Sequence, residues 1–215
     1  MAGLQSRSKR GEHVNIRHWR NPMRTLALII TLALAACSPT PGTGDWQLAT
    51  DASRISFVSV KSGTIAEAHS FGVLAGSVSE TGEARIAISL DSVETHIDIR
   101  NERMREHLFE TNLHPEAIIT AQIDLTRFDA MPVGARQADL LDLTLNLHGV
   151  DATIHADLII TRLGHDRVLV ETTTPILIHA DDFDLQDGLD VLQGLANLPG
   201  ITPVAPVMFA VVFER

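Results

Sequence analysis

The side chains of this 215-residue chain that could do chemistry are ten histidines, one cysteine, a short acidic run and three closely spaced arginines. A protein metal site needs His, Cys, Asp or Glu at ligand spacing. His13 and His18 fall in a basic amino-terminal segment. His69, His96, His107, His114, His148, His155, His165 and His179 are scattered, with no His-x3-His or His-Glu-x-x-His pattern. No metal ligand is therefore assigned. His107 and His114 flank the exit of an expected helix and read as turn-fixing residues, and His148, just before Gly149, reads as a strand end. Asp181-Asp182-x-Asp184 is an acidic cluster, but it lacks the Gly and terminal Glu of a calcium-binding helix–loop–helix. Solvated carboxylates explain it more simply. A nucleophilic enzyme needs Ser or Cys beside a base, and no Gly-x-Ser-x-Gly is present. No catalytic residue is assigned, and the chain is expected not to be an enzyme. Arg100, Arg103 and Arg105 share one short expected helix and read as a solvated or carboxylate-paired face.

A net charge of −10, 4 % aromatics and no Tyr argue against nucleic-acid binding. With 45 % hydrophobic and 20 % charged residues the chain belongs among folded domains. One Cys excludes an internal disulfide framework. The charge is unevenly spread. Residues 1–36 hold six basic residues and one acid, leaving a body of net −15. Such a body should stick little to anionic surfaces.

The basic head reads as a secretion signal. Met23-Arg24 supplies a positive start, and Leu26 to Leu34 is apolar but for Thr31. That run is about half of the ~20 residues a spanning helix needs. It leads through Leu34-Ala35-Ala36 into Cys37. The junction resembles the bacterial lipobox. The resemblance implies diacylglyceryl transfer to the Cys37 sulfur, cleavage before it and acylation of the new amino group. Two or more acyl chains anchor stably where one would be marginal. Ser38, not Asp, follows, which favours the outer membrane. The expected organisation is residues 1–22 as a start placed too early or an extended n-region, and 23–36 as the signal. Residues 37–44 are then the lipidated Cys and a tether rich in Pro and Gly, and 45–215 one domain.

Positioning falls to strands, because the dominant signal after Asp45 is period two. Ile86/Ile88/Leu90, Ala121/Ile123/Leu125, Leu141 to Leu147, Ile154 to Ile160 and Val207 to Phe213 all alternate. Further strand candidates are 46–48, 54–61, 71–78, 167–172 and 176–179. Asp98–Phe109 and Gly188–Leu198 are expected helices. In the second, Leu189, Leu192 and Leu195 form an apolar stripe, while Gly188, Gly194 and Gly200 would permit movement as a flap. No βαβ alternation occurs. The fold class is all-β, a barrel or sandwich of eight to ten strands with two short helices.

Ser92-Val93-Glu94-Thr95, followed by Ile99-Arg100-Asn101 and His107-Leu108-Phe109 and then His114-Pro115, resembles the YceI family of periplasmic lipid- and polyisoprenoid-binding proteins. Leu143-Thr144-Leu145-Asn146-Leu147-His148-Gly149-Val150 and Ala180 to Leu185 with the Val204–Phe213 strand resemble two later family blocks. The resemblance spans roughly Asp45–Arg215. It implies an extended antiparallel lipocalin-like β-barrel of about eight strands with one or two short helices, and an apolar tunnel for an isoprenoid chain. Where family members often carry a His after the first long strand, this chain has Lys61.

The resemblance implies a non-covalent ligand, an isoprenoid or quinone-type lipid, held for carriage, storage or sequestration. It also gives the arginines a second reading, with one of them meeting a quinone or phosphate head group. Alternation nominates Phe57, Ile88, Leu143, Leu145, Phe209 and Val211 as tunnel lining. The expected location is the bacterial envelope, as a periplasm-facing lipoprotein of the outer membrane attached through acylated Cys37. Two alternatives are a structural or stress-interaction protein and an accessory presenting a quinone to a membrane redox protein.

Overall fold

The computed structural model describes residues 45–215. The expected signal segment, Cys37 and the tether lie outside the described residues. The strands, in chain order, are β1 (Trp46–Leu48), β2 (Arg54–Lys61), β3 (Ile65–Phe71), β4 (Leu74–Val78), β5 (Glu83–Ser89), β6 (Val93–Glu94) and β7 (Glu116–Gln122). After them come β8 (Arg136–Leu147), β9 (Val150–Gly164), β10 (Arg167–Thr172), β11 (Ile176–His179) and β12 (Val204–Glu214). Every pairing is antiparallel. The order β1-β4-β5-β7-β8-β9-β10-β12 closes on itself because β12 pairs back with β1, giving a closed eight-stranded barrel.

The remaining strands extend this ring at one end. β2 continues β1 along β12, β3 runs into β4, β6 follows β5 to pair with β3, and β11 follows β10 along β12. The β1–β2 break has a local cause. Leu48 pairs with Phe213 and Arg54 with Ala210, so the 3-10 turn Thr50–Ala52 inserts residues that β12 does not match. The Ser53 hydroxyl holds the kink, donating to the Ala49 carbonyl and accepting from the Val212 amide.

The longest hairpin shows why the alternation was readable. On β8, Leu143, Leu145 and Leu147 point inward and are buried, while Asp142 and Thr144 face water. Its turn is His148-Gly149, both at positive φ (55° and 82°), the two-residue geometry that matches strand twist. A side chain at Gly149 would also meet the His114 ring at 3.1 Å.

Three helices interrupt the barrel: α1 (Asp98–Arg103), α2 (Thr126–Asp129) and α3 (Gln186–Leu195). α1 runs on as a π-turn, Met104–Leu108, where the Phe109 amide bonds the Met104 carbonyl. α2 is one helix more than expected. It forms where a strand was expected to continue through Leu125, because the Asp124 carboxylate accepts bonds from Thr126 and turns the chain. The acidic run Ala180–Phe183 is a 3-10 turn that buries Ala180 and Phe183 and leaves its carboxylates exposed. Among the described residues no three His, Cys, Asp or Glu side chains converge to hold a metal ion.

Candidate functional site

The barrel interior is filled at one end and hollow at the other. Leu143, Ala156, Leu158 and Ile160 form a packed cluster in the filled part. Trp46, Leu48, Val78, Val211 and Phe213 pack nearby, and Arg162 and Arg215 stack on the Trp46 ring at 5.6 and 4.5 Å. The other end encloses a cavity of ≈ 440 Å³. Its wall is almost wholly aliphatic and aromatic, with Ile88, Ile119, Leu145, Ile154 and Phe209 from the strands. Size and lining fall in the ~300–1,000 Å³ range of small-molecule sites, which are mostly apolar with few polar groups.

Of the lining residues nominated by alternation, Phe57, Ile88, Leu145 and Phe209 border this cavity. Leu143 and Val211 face inward but do not border it, because they lie where the interior is packed solid and are 5 % and 1 % exposed. Parity selects the inward face; it does not tell how far along the barrel the hollow extends.

The helices complete the wall. α1 and its π-turn contribute Ile99, Arg100, Arg103, Met104 and Leu108, and α3 contributes Leu189 and Leu192. Gly188 permits this arrangement. A Cβ there would lie 2.4 Å from the His107 carbonyl oxygen, so α3 packs on the π-turn only with glycine at the contact. Gly188 thus serves close packing, whereas Gly194 and Gly200 have open space around them. Ile97, Ile99 and Leu195 leave apolar surface exposed beside the cavity.

Polar groups gather at one place on the wall, where β2 and β3 meet α1. Inward parity on β2 places Phe57, Ser59 and Lys61 on the wall, and on β3 Glu67, His69 and Phe71. Glu67 receives Lys61 Nζ at 2.6 Å and Arg100 Nη1 at 2.8 Å. The hydrogen bond from Lys61, aided by the Arg100 guanidinium, holds the Glu67 carboxyl below the usual carboxylate range despite burial. His69 is 4 % exposed, with Nε2 2.8 Å from the Ser59 hydroxyl and its ring 5.1 Å from Phe57. Burial, reinforced by the Arg100 charge, pushes its pKa down to about 4, so the imidazole is neutral near pH 7. Phe57, Phe71 and Phe109 form an aromatic chain beside it, with centroids 5.4 and 5.8 Å apart.

The Ser92–Asn101 block acts on this site by positioning Arg100. The Ser92 hydroxyl accepts from the Gly72 and Val73 amides and donates to the Ser89 carbonyl. Buried Asn101 accepts from the Thr95 amide and hydroxyl through Oδ1 and donates to Glu94. That latch presents the Thr95 carbonyl to Arg100 Nη2 at 2.7 Å. The three helix arginines diverge: Arg100 reaches Glu67, Arg103 the Leu195 carbonyl and Arg105 the Asp91 carbonyl. Sequence reasoning missed Glu67 and His69 as wall residues; their spacing of two with Phe71 was the available signal.

The model of the YceI-like domain family matches residues 46–211. Among solved structures the chain is similar to a polyisoprenoid binding domain from Saccharophagus degradans implicated in plant cell wall breakdown. The identity is 39 %, the TM-score 0.78, and the match covers 79 % of this chain and 98 % of that one. It is also similar in fold to BcnA from Burkholderia cenocepacia, at 15 % identity and a TM-score of 0.60, covering 77 % and 98 % of the two chains. No curated protein matches the chain.

Proposed function

Because this chain belongs to the YceI-like domain family, we propose that its barrel binds the hydrocarbon chain of an isoprenoid lipid for carriage, storage or sequestration. The observation that carries this reading is the hollow half of the barrel, apolar on nearly every side and bounded inward by packed core. An apolar chain needs no directed contacts in such a space, since burial at ~25 cal/mol per Å² is favourable by itself. The polyisoprenoid binding domain at 39 % identity supports the choice of an isoprenoid. In this reading Leu145, Phe57, Ile88 and Phe209 touch the chain, and Leu143 and Val211 support the floor.

We read the protein as a binder and not an enzyme. The acid on the wall is held ionised between two cations, and the histidine is held neutral beside Ser59. The lipobox-like junction supports attachment to a bacterial envelope membrane through acylated Cys37. Mass spectrometry of the mature protein recovered from the membrane and soluble fractions of a bacterial host tests the anchor. A diacylglyceryl adduct on Cys37 is expected, and unmodified cysteine in a membrane-free protein would refute it. Mass spectrometry of the organic extract tests the cargo.

A further inference from the structure

Exposed aliphatic side chains gather around the mouth of the cavity. Ile97 and Ile99, at the start of α1, belong to its wall and still face water. Ile65 stands at inward parity on β3, opposite Lys61, and Lys61 bridges to Ile201, another wall residue. Leu195, whose carbonyl receives Arg103, adds the end of α3. Ile65, Ile97, Ile99 and Leu195 are each about half exposed. A single exposed aliphatic side chain is ordinary, whereas several from three segments around one opening mark an interaction site.

We propose that this crown docks the mouth of the barrel onto an uncharged lipid surface, a zwitterionic bilayer. The docking rests on the apolar-chain reading above and adds the partner that exchanges the chain. Each methylene exposed to water lowers the free concentration of such a chain roughly fourfold, and the factor compounds along its length. The mouth must therefore touch the phase that holds the chain. Ile97 and Ile99 are at once wall and crown, so a chain passes from acyl tails to the hollow along apolar surface. The charges disfavour an anionic surface. Asp98 and Glu102 are exposed beside these isoleucines on an acidic body, which repels negative head groups.

The ends of the chain do not cover the crown. Gln47 on β1 pairs with Glu214 on β12, and Arg215 lies over Trp46, so both ends of the described chain leave at the filled end. From Glu214 to Val204 on the cavity wall, β12 runs ~33 Å at ~3.3 Å per residue. Cys37 is eight peptide steps from Asp45, at most ~29 Å of extended chain. Acyl groups on Cys37 therefore do not reach the crown.

Nitrobenzoxadiazole probes on the full chain test the docking, in a Cys37→Ala background that leaves one thiol. Leu195→Cys puts the probe in the crown. His165→Cys puts it at the filled end, on the exposed turn between β9 and β10. With phosphatidylcholine vesicles carrying doxyl lipid, the crown probe should shift to the blue and lose most of its emission, well beyond the filled-end probe. Ile65→Glu should abolish that loss. Replacing half of the phosphatidylcholine by phosphatidylglycerol should reduce it. A crown probe quenched no more than the filled-end probe would overturn the docking, as would quenching that requires phosphatidylglycerol. Blue emission without vesicles, with a dimer mass in sedimentation, would give the crown to a second copy and overturn it too. The two probe sites decide even if Ile65→Glu does not fold. Lipid in the organic extract without docking would sink the crown alone, whereas an empty extract would refute the apolar-chain reading.

Discussion

Arg100 on α1 donates to Glu67 on β3 at 2.8 Å and so ties a helix to the barrel wall beside the cavity. Glu67 also holds Lys61, so one carboxylate fixes the end of β2, the helix and its own strand. Glu67→Gln leaves two cations sharing a neutral amide. The expected loss is about 1–2 kcal/mol of stability, in the range of charge-assisted hydrogen bonds at a partly screened site. Urea unfolding should show it as a lower midpoint with an unchanged slope.

Acid should weaken the fold through the same cluster. His69 has its folded pKa lowered to about 4 from the ordinary 6.5, so the unfolded chain binds the extra proton between these values. Its contribution is complete above pH 6.5 and is lost as pH falls toward 4. Glu67, also lowered, adds a loss below its ordinary 4.5. Stability measured by urea midpoint should therefore fall from pH 7 to 4, and His69→Phe should flatten the part between 6.5 and 4.5. An unchanged profile in that variant would show that His69 is not the group responsible.

Gly188→Ala should detach α3 from the π-turn. The new Cβ meets a backbone oxygen at 2.4 Å, a contact no side-chain rotation relieves. Overpacking of this kind costs about 1–3 kcal/mol. Gly194→Ala, with open space around it, should be neutral or slightly stabilising. Thermal melts of the two variants compare them directly.

Leu145 and Leu143 stand two apart on the same strand and should behave oppositely. Leu145→Trp fills the cavity and should abolish retention of a long apolar chain while the barrel stays folded. Leu143→Ala opens a hole in packed core and should cost ~2–5 kcal/mol, yet its folded fraction should still bind the chain. Far-ultraviolet circular dichroism with ligand displacement separates the two outcomes.

The contrast between β8 and β3 shows what could be read from the sequence. Leu141 to Leu147 alternate with polar residues, and β8 was legible because every inward position in that stretch is apolar. β3 has Glu67 and His69 at inward positions, so hydrophobic periodicity is silent there and the strand was not expected before Phe71. The polar cluster thus hid the strand that carries it. Helices α1 and α3 were visible through apolar spacing, but the role of Gly188 depends on a contact with His107, far away in the chain. The depth at which the hollow gives way to core, between Leu145 and Leu143, depends on how strands across the barrel fill space together, which no single strand encodes.

A long apolar lipid held in the hollow of the barrel should leave the protein in the organic extract of the purified full chain. Mass spectrometry should find a prenyl lipid near one molecule per protein, and the Leu145→Trp variant purified alongside should carry none. Were the folded, unmodified protein to yield no lipid even after incubation with envelope lipids, the hollow would not be a lipid site.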